Sequence, residues 1–159
     1  MLETLPDVAR HVFERGIGDD DWIPFPAVDA LMQTVDAQMG RDDLHLVVQC
    51  GRAASEGAFE TMRKVRPPAP PPELLIAEMP TVLAKPVRGV DVHVGRMGRG
   101  YARLELDESG ESSLTFGVFL IGFLDRSLDR FGASEVEVSL ISSPALGDSN
   151  CVYEISWIA

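Results

Sequence analysis

The sequence predicts an α+β domain in which N-terminal helices pack on a four-stranded antiparallel sheet. Apolar residues recur at helical spacing over most of residues 5–85, and the period drops to two after Gly89 and again after Gly132. The two strand pairs flank one apolar helix and have short polar or glycine-bearing connections. That order, helices, β-hairpin, helix, β-hairpin, favours antiparallel pairing over the long crossovers of a parallel nucleotide-binding sheet. With 159 residues the chain reads as one domain over 1–159. A helical half spans 1–66, a proline-rich connector 67–72, and a helix plus ββαββ half 73–159.

Helix one is expected over Leu5 to Arg15, with Leu5, Val8, Ala9, Val12 and Phe13 on one face, Thr4 and Asp7 as a capping pair and Gly16 as its stop. The acid run Asp19-Asp20-Asp21 is a loop, followed by the stiff apolar lead-in Trp22-Ile23-Pro24-Phe25-Pro26. Pro26 suits the first turn of helix two, which carries Val28, Leu31, Met32, Val35 and Met39 and ends at Gly40. Helix three starts at Asp42 or Asp43 and runs to about Val65, with Leu44, Val47, Val48, Gly51, Ala54, Ala58 and Met62 in one stripe. Its small middle lets a neighbouring element come very close, or leaves room for a ligand. The run Pro67-Pro68-Ala69-Pro70-Pro71-Pro72 forms an extended spacer, because each proline lacks a backbone donor and fixes φ. Helix four follows from about Glu73 to Lys85 and is expected to kink or split at Pro80.

Val90, Val92 and Val94 alternate with Asp91, His93 and Gly95, and Tyr101, Arg103 and Glu105 with Ala102, Leu104 and Leu106. Arg96 to Gly100 is the expected turn of this hairpin. After a polar loop over Asp107 to Ser113, helix five spans Leu114 to Phe131 and is closed by Gly132. Phe116, Phe119, Leu120, Phe123, Leu124, Leu128 and Phe131 make its main stripe, widened by Val118 and Ile121, so it should be buried on more than one side. The last strands are Glu135 to Ile141 and Cys151 to Ile158, with Cys151, Tyr153, Ile155 and Trp157 facing one way.

Net charge is −11, which argues against a general nucleic-acid binder or an anionic-membrane binder. Acids dominate both ends of the chain, while residues 41–103 hold ten bases against seven acids. A basic patch at Arg96, Arg99 and Arg103 is the candidate contact for an acidic partner. Tyr101 among these arginines is too little for single-stranded nucleic acid. No apolar run approaches the ~18 residues of a membrane span, and the first residues do not read as a secretory signal. Cys50 and Cys151 lie far apart, which argues for a reduced cytoplasm without a disulfide framework.

No constellation spells out a reaction. Gly95, Gly98 and Gly100 lie between two strands, whereas a phosphate loop needs a strand before it and a helix after it. His11, His45, His93, Cys50 and Cys151 lack zinc spacings, so no metal site is expected. Cys50 reads as a buried, inert thiol in an apolar helix. With no nucleophile–base pairing, catalysis is not expected and no catalytic residue is assigned.

From residue 88 onward, four runs carry a family resemblance: Arg88-Gly89-Val90-Asp91-Val92-His93-Val94, Gly100-Tyr101-Ala102-Arg103-Leu104-Glu105-Leu106, Gly117-Val118-Phe119-Leu120-Ile121-Gly122-Phe123-Leu124, and Gly147-Asp148-Ser149-Asn150-Cys151-Val152-Tyr153-Glu154-Ile155-Ser156-Trp157. This order resembles the 4-vinyl-reductase-type ligand-binding domains, grouped with haem–nitric-oxide-binding domains and TRAPP transport-complex subunits. Gly51 and the Trp22-Ile23-Pro24 lead-in resemble a paralogous branch common in myxobacteria. The resemblance implies a helical half on a four-stranded antiparallel sheet, and either a cavity for a small or lipid-like molecule or a protein-docking surface, often in homodimers. Ser142-Ser143 stands where some relatives carry a second cysteine, and no histidine is assignable as a haem ligand, so no cofactor is expected.

The leading expectation is a non-enzymatic cytoplasmic signalling or adaptor domain that acts as a homodimer through protein contacts, motivated by the wide apolar surface of helix five. The alternative is a sensor of a small hydrophobic, lipid-like or tetrapyrrole-like ligand. Gly51, Ala54, Phe116, Phe119, Leu120, Phe123 and Trp157 are the candidate pocket or interface under either reading.

Overall fold

The computed structural model describes residues 2–18, 23–63, 71–84, 90–108 and 113–158. The acid run at 19–21, Trp22, most of the proline connector, and Arg88 and Gly89 lie outside the described residues. In chain order the elements are α1 (Asp7–Glu14), α2 (Phe25–Met39), α3 (His45–Arg63), α4 (Pro72–Ala84), β1 (Val90–Gly98), β2 (Tyr101–Glu108), α5 (Leu114–Arg130), β3 (Ser134–Ser142) and β4 (Cys151–Ile158). Short 3-10 turns sit at Leu2–Thr4 and Pro144–Leu146. This is the expected α+β order.

The sheet runs β1-β2-β4-β3 and every pairing is antiparallel. Register keeps the apolar rows together: Val92 pairs with Leu106 and Leu106 with Cys151, while Leu104 faces Tyr153 and Tyr153 faces Leu140. Because side chains alternate along a strand, this stacks Val92, Ala102, Leu104, Leu106, Cys151, Tyr153, Ile155 and Trp157 on one inner face. Helices α4 and α5 cover that face, with Leu75, Ile76, Met79 and Leu83 from α4 in the same core as Phe116, Leu120, Phe123, Leu124 and Leu128 from α5. The outer face carries Asp107 and His93, whose side chains are 3.9 Å apart, and Arg103 between Glu105 and Glu154.

Helix α5 is buried from two directions. Gly117 looks at the sheet: its carbonyl accepts a 3.1 Å hydrogen bond from the Tyr153 hydroxyl, and a Cβ there would meet Leu140 Cδ2 at 3.0 Å. Gly122 lies about 140° further round the helix and looks at α3. A Cβ on Gly122 would collide with the carbonyl oxygen of Val48, and one on Gly51 would collide with that of Phe119 and lie 2.9 Å from the Phe123 nitrogen. The two helices therefore cross in direct backbone contact, so the small middle of helix three serves close packing. Ser113 caps the N-terminus of α5 by accepting from the Phe116 N–H at 3.2 Å.

Several local expectations need correction. Helix α1 is preceded by Pro6, without a side-chain cap, in place of the Thr4–Asp7 pair. Helix α4 begins at Pro72 and runs unbroken through Pro80. Proline suits a first helical position, and its burial at 72 together with Leu75, Ile76 and Met79 anchors the helix despite the lost donor at Pro80. Strand β1 continues to Gly98, so the β1–β2 turn is only Arg99–Gly100 and a register shift between Val94 and Met97 absorbs the extra length. Met39, expected on the apolar stripe of α2, is 72% exposed.

Candidate ligand site

The structure gathers most of the sequence-selected pocket residues at α5. Phe116, Leu120, Phe123 and Trp157 belong to one buried core, and Phe119 packs against it. Phe25 of α2 meets Phe116 edge-on at a centroid distance of 5.0 Å, and Phe119 stacks on Phe116 at 6.4 Å, so an aromatic cluster joins α2 to α5. Gly51 abuts the same helix from the α3 side. Ala54 is a correction: it is exposed, because the stripe that α3 buries is Val47, Gly51 and Ser55, spaced i, i+4, i+8. Cys50 sits one position off that stripe and is likewise exposed, not the inert buried thiol the sequence led one to expect. The apolar surface of α5 that motivated an interface is covered from within the chain.

The proposed basic patch is divided. Arg96 and Arg99 are exposed near the β1–β2 turn. Arg103 lies on β2 and is held 2.9 Å from Glu105 and 4.0 Å from Glu154, which offsets its charge.

A polar groove of about 560 Å³ opens between α3, α5 and the start of β3. Sequence reading did not single it out. Arg52 reaches Asp125 at 2.7 Å, and Arg126 bridges Glu56 at 3.1 Å and Asp129 at 2.6 Å. The Glu56 carboxylate, hydrogen-bonded to Arg126, pushes that guanidinium's pKa further up. These pairs tie the two helices together on their solvent side. Their only sequence signal is the spacing of Arg52 with Glu56 and of Asp125, Arg126, Asp129 and Arg130 along two helices, which does not reveal that the helices are neighbours.

Among the described residues the buried polar side chains are almost all satisfied. Both carboxylate oxygens of Asp36 accept backbone N–H groups, from Leu44 at 2.8 Å and Leu46 at 3.1 Å. Ser113 donates to Asp29, Gln33 donates to Thr115, Ser127 to the Phe123 carbonyl and Ser55 to the Arg52 carbonyl. The exceptions are Arg10 Nε, whose guanidinium bonds elsewhere, and Trp157 Nε1.

No family model and no curated protein matches the sequence. Solved structures do. An H-NOX protein from S. oneidensis, in its Fe(II)NO ligation state, superposes with a TM-score of 0.68 at 13% identity, covering 96% of this chain and 89% of that one. The fold is that of the H-NOX domains. A second H-NOX protein, from T. tengcongensis, gives 0.63 at 16% identity over 96% and 87% of the two chains. The phenol-responsive sensory domain of the transcription activator PoxR, in complex with phenol, gives 0.63 at 13% identity over 85% and 75%. The expected likeness to haem–nitric-oxide-binding domains thus holds for the fold.

An H-NOX fold raises the question of haem, and the residues present do not fit it. Haem iron takes an axial side chain inside its pocket, most often a histidine. His11, His45 and His93 are all exposed on this H-NOX-like body. The buried Cys151 thiol faces Ser143 Oγ at 3.8 Å, and the buried Tyr153 hydroxyl is bonded to Gly117. No group of three or more His, Cys, Asp or Glu among the described residues is placed to hold a metal ion. No helix among them is long and apolar enough to cross a membrane.

Proposed function

We propose that this chain is a non-enzymatic sensory domain that takes a small hydrophobic ligand directly, without haem. The observation that carries the reading is the match of one fold, over most of this chain, both to H-NOX proteins and to a phenol-responsive sensory domain holding phenol. The sequence adds the Gly147-Asp148-Ser149-Asn150-Cys151 element, which resembles the 4-vinyl-reductase-type ligand-binding domains. The myxobacterial likeness of Gly51 and the Trp22 lead-in belongs to the same reading.

The burial of the α5 apolar face moves the weight from adaptor to sensor, since that face is spent on the chain's own core. Output to a protein partner, or through a homodimer, then runs over another surface. Native mass spectrometry of protein purified from its natural host, paired with thermal shifts against small neutral aromatics and against hemin, tests the proposal. A bound mass or a shift with neutral aromatics, and no Soret band with hemin, is expected. A bare mass with no thermal shift by any neutral compound, or stoichiometric haem, overturns it.

A further inference from the structure

We infer that Trp157 is the polar anchor of the ligand site, and that its indole N–H selects a small uncharged molecule bearing a hydrogen-bond-accepting oxygen. The inference rests on the sensory reading above and names the ligand class for it. Trp157 is 5% exposed, yet its Nε1 has no hydrogen-bond partner among the described residues. A buried indole N–H normally finds an acceptor, because leaving it unmade forfeits its bond to water. The other buried polar side chains of the body, Ser113, Thr115, Ser127, Ser143 and Tyr153, all have partners. Trp157 is the exception in the core that holds Phe116, Leu120 and Phe123.

The position also suits access. Trp157 lies in the last inward-facing row of β4, where its backbone N–H donates to Gly100 of the β1–β2 turn at 3.0 Å. Two strands away, Met97 of edge strand β1 pairs with Ala102 of β2 and is 45% exposed, so the apolar face meets solvent at the β1 edge of this end of the sheet. The ligand is uncharged because the core offers nothing to pair an ion. Among the described residues Asp36 is the one buried member of the Asp, Glu, Lys, Arg and His side chains, and it is already bonded to Leu44 and Leu46 at the start of α3. An ionised ligand there would meet an indole and hydrocarbon only, at a large desolvation cost.

The test is carried out on the full chain with 15N-labelled indoles. The sequence has two tryptophans, so Trp22→Phe leaves the Trp157 resonance unambiguous. Acetophenone and ethylbenzene serve as a matched pair, one with an acceptor oxygen and one without. Acetophenone should move the Trp157 Nε1–H resonance and bind more tightly than ethylbenzene, and Trp157→Phe should cost acetophenone about fivefold in affinity while leaving ethylbenzene nearly unchanged. The wild-type resonance keeps the test decisive where Trp157→Phe fails to fold. Either probe shifting the melting temperature with the indole resonance silent overturns this inference and leaves the sensory reading standing. No binding of either probe, with a water cross-peak to the indole N–H, overturns the inference by giving the donor to a structural water.

Discussion

The α1–α2 pair and the body built on α5 are held by different means. The body buries an apolar face of every strand and packs α5 between α3 and the sheet. The pair has a satellite core of Leu5, Ala9 and Ala27, with Val12, Phe13, Ile23, Ala30 and Leu31 at its edge. It joins the body through polar contacts from Asp36 to the start of α3, from Asp29 to the Ser113 cap of α5, and from Gln33 to Thr115. The Phe25–Phe116 contact adds an apolar link. A region with a small apolar core of its own opens at lower free energy than a close-packed one. The pair is thus expected to open before the body does.

The largest expected effect breaks the body itself. Gly122→Val places two methyl groups against the Val48 backbone and should cost about 3 kcal/mol or more, seen as a fall of roughly 10 °C in melting temperature or as insoluble protein. Leu5→Ala removes a side chain that is 1% exposed, a change worth about 2–4 kcal/mol, but its cost should fall on the pair alone. Hydrogen exchange should then speed up in α1 and α2 while the amides of β2 and β4 stay protected. Equal loss of protection in both regions would show that they unfold as one unit.

Asp36→Ala sharpens the boundary between the two. It strips two acceptors from the start of α3 and should cost about 1–2 kcal/mol, visible as a lower denaturation midpoint with an unchanged slope. Arg126→Ala should have the smallest effect, because the guanidinium is exposed and its partners are solvated. The difference from wild type should shrink further as salt is raised.

The strands were legible almost residue by residue. Val92, Ala102, Leu104, Leu106, Cys151, Tyr153, Ile155 and Trp157 alternate with polar residues, and the inward face follows from that alternation alone. Helix α5 was legible too, since an apolar surface nearly all round implies neighbours on both sides. Helix α3 was not. Its apolar positions are diluted by small residues, so the pattern left Ala54 and Cys50 inside when both lie outside. The Arg52–Asp125 and Arg126–Glu56 pairs were equally hidden, because surface charges at helical spacing look the same whether or not a partner helix lies beside them.

Local periodicity settles the order of elements, the hairpin pairing and the inward side of each strand, because these depend on residues a few positions apart. The meeting of Gly51 with the backbone of α5, and of Gly122 with that of α3, joins positions far apart in the chain, and only the folded body decides it. The same holds for Trp157. A tryptophan on an inward strand position is legible as core, but the lack of a partner for its indole nitrogen among the described residues emerges only once the neighbouring groups have taken their places.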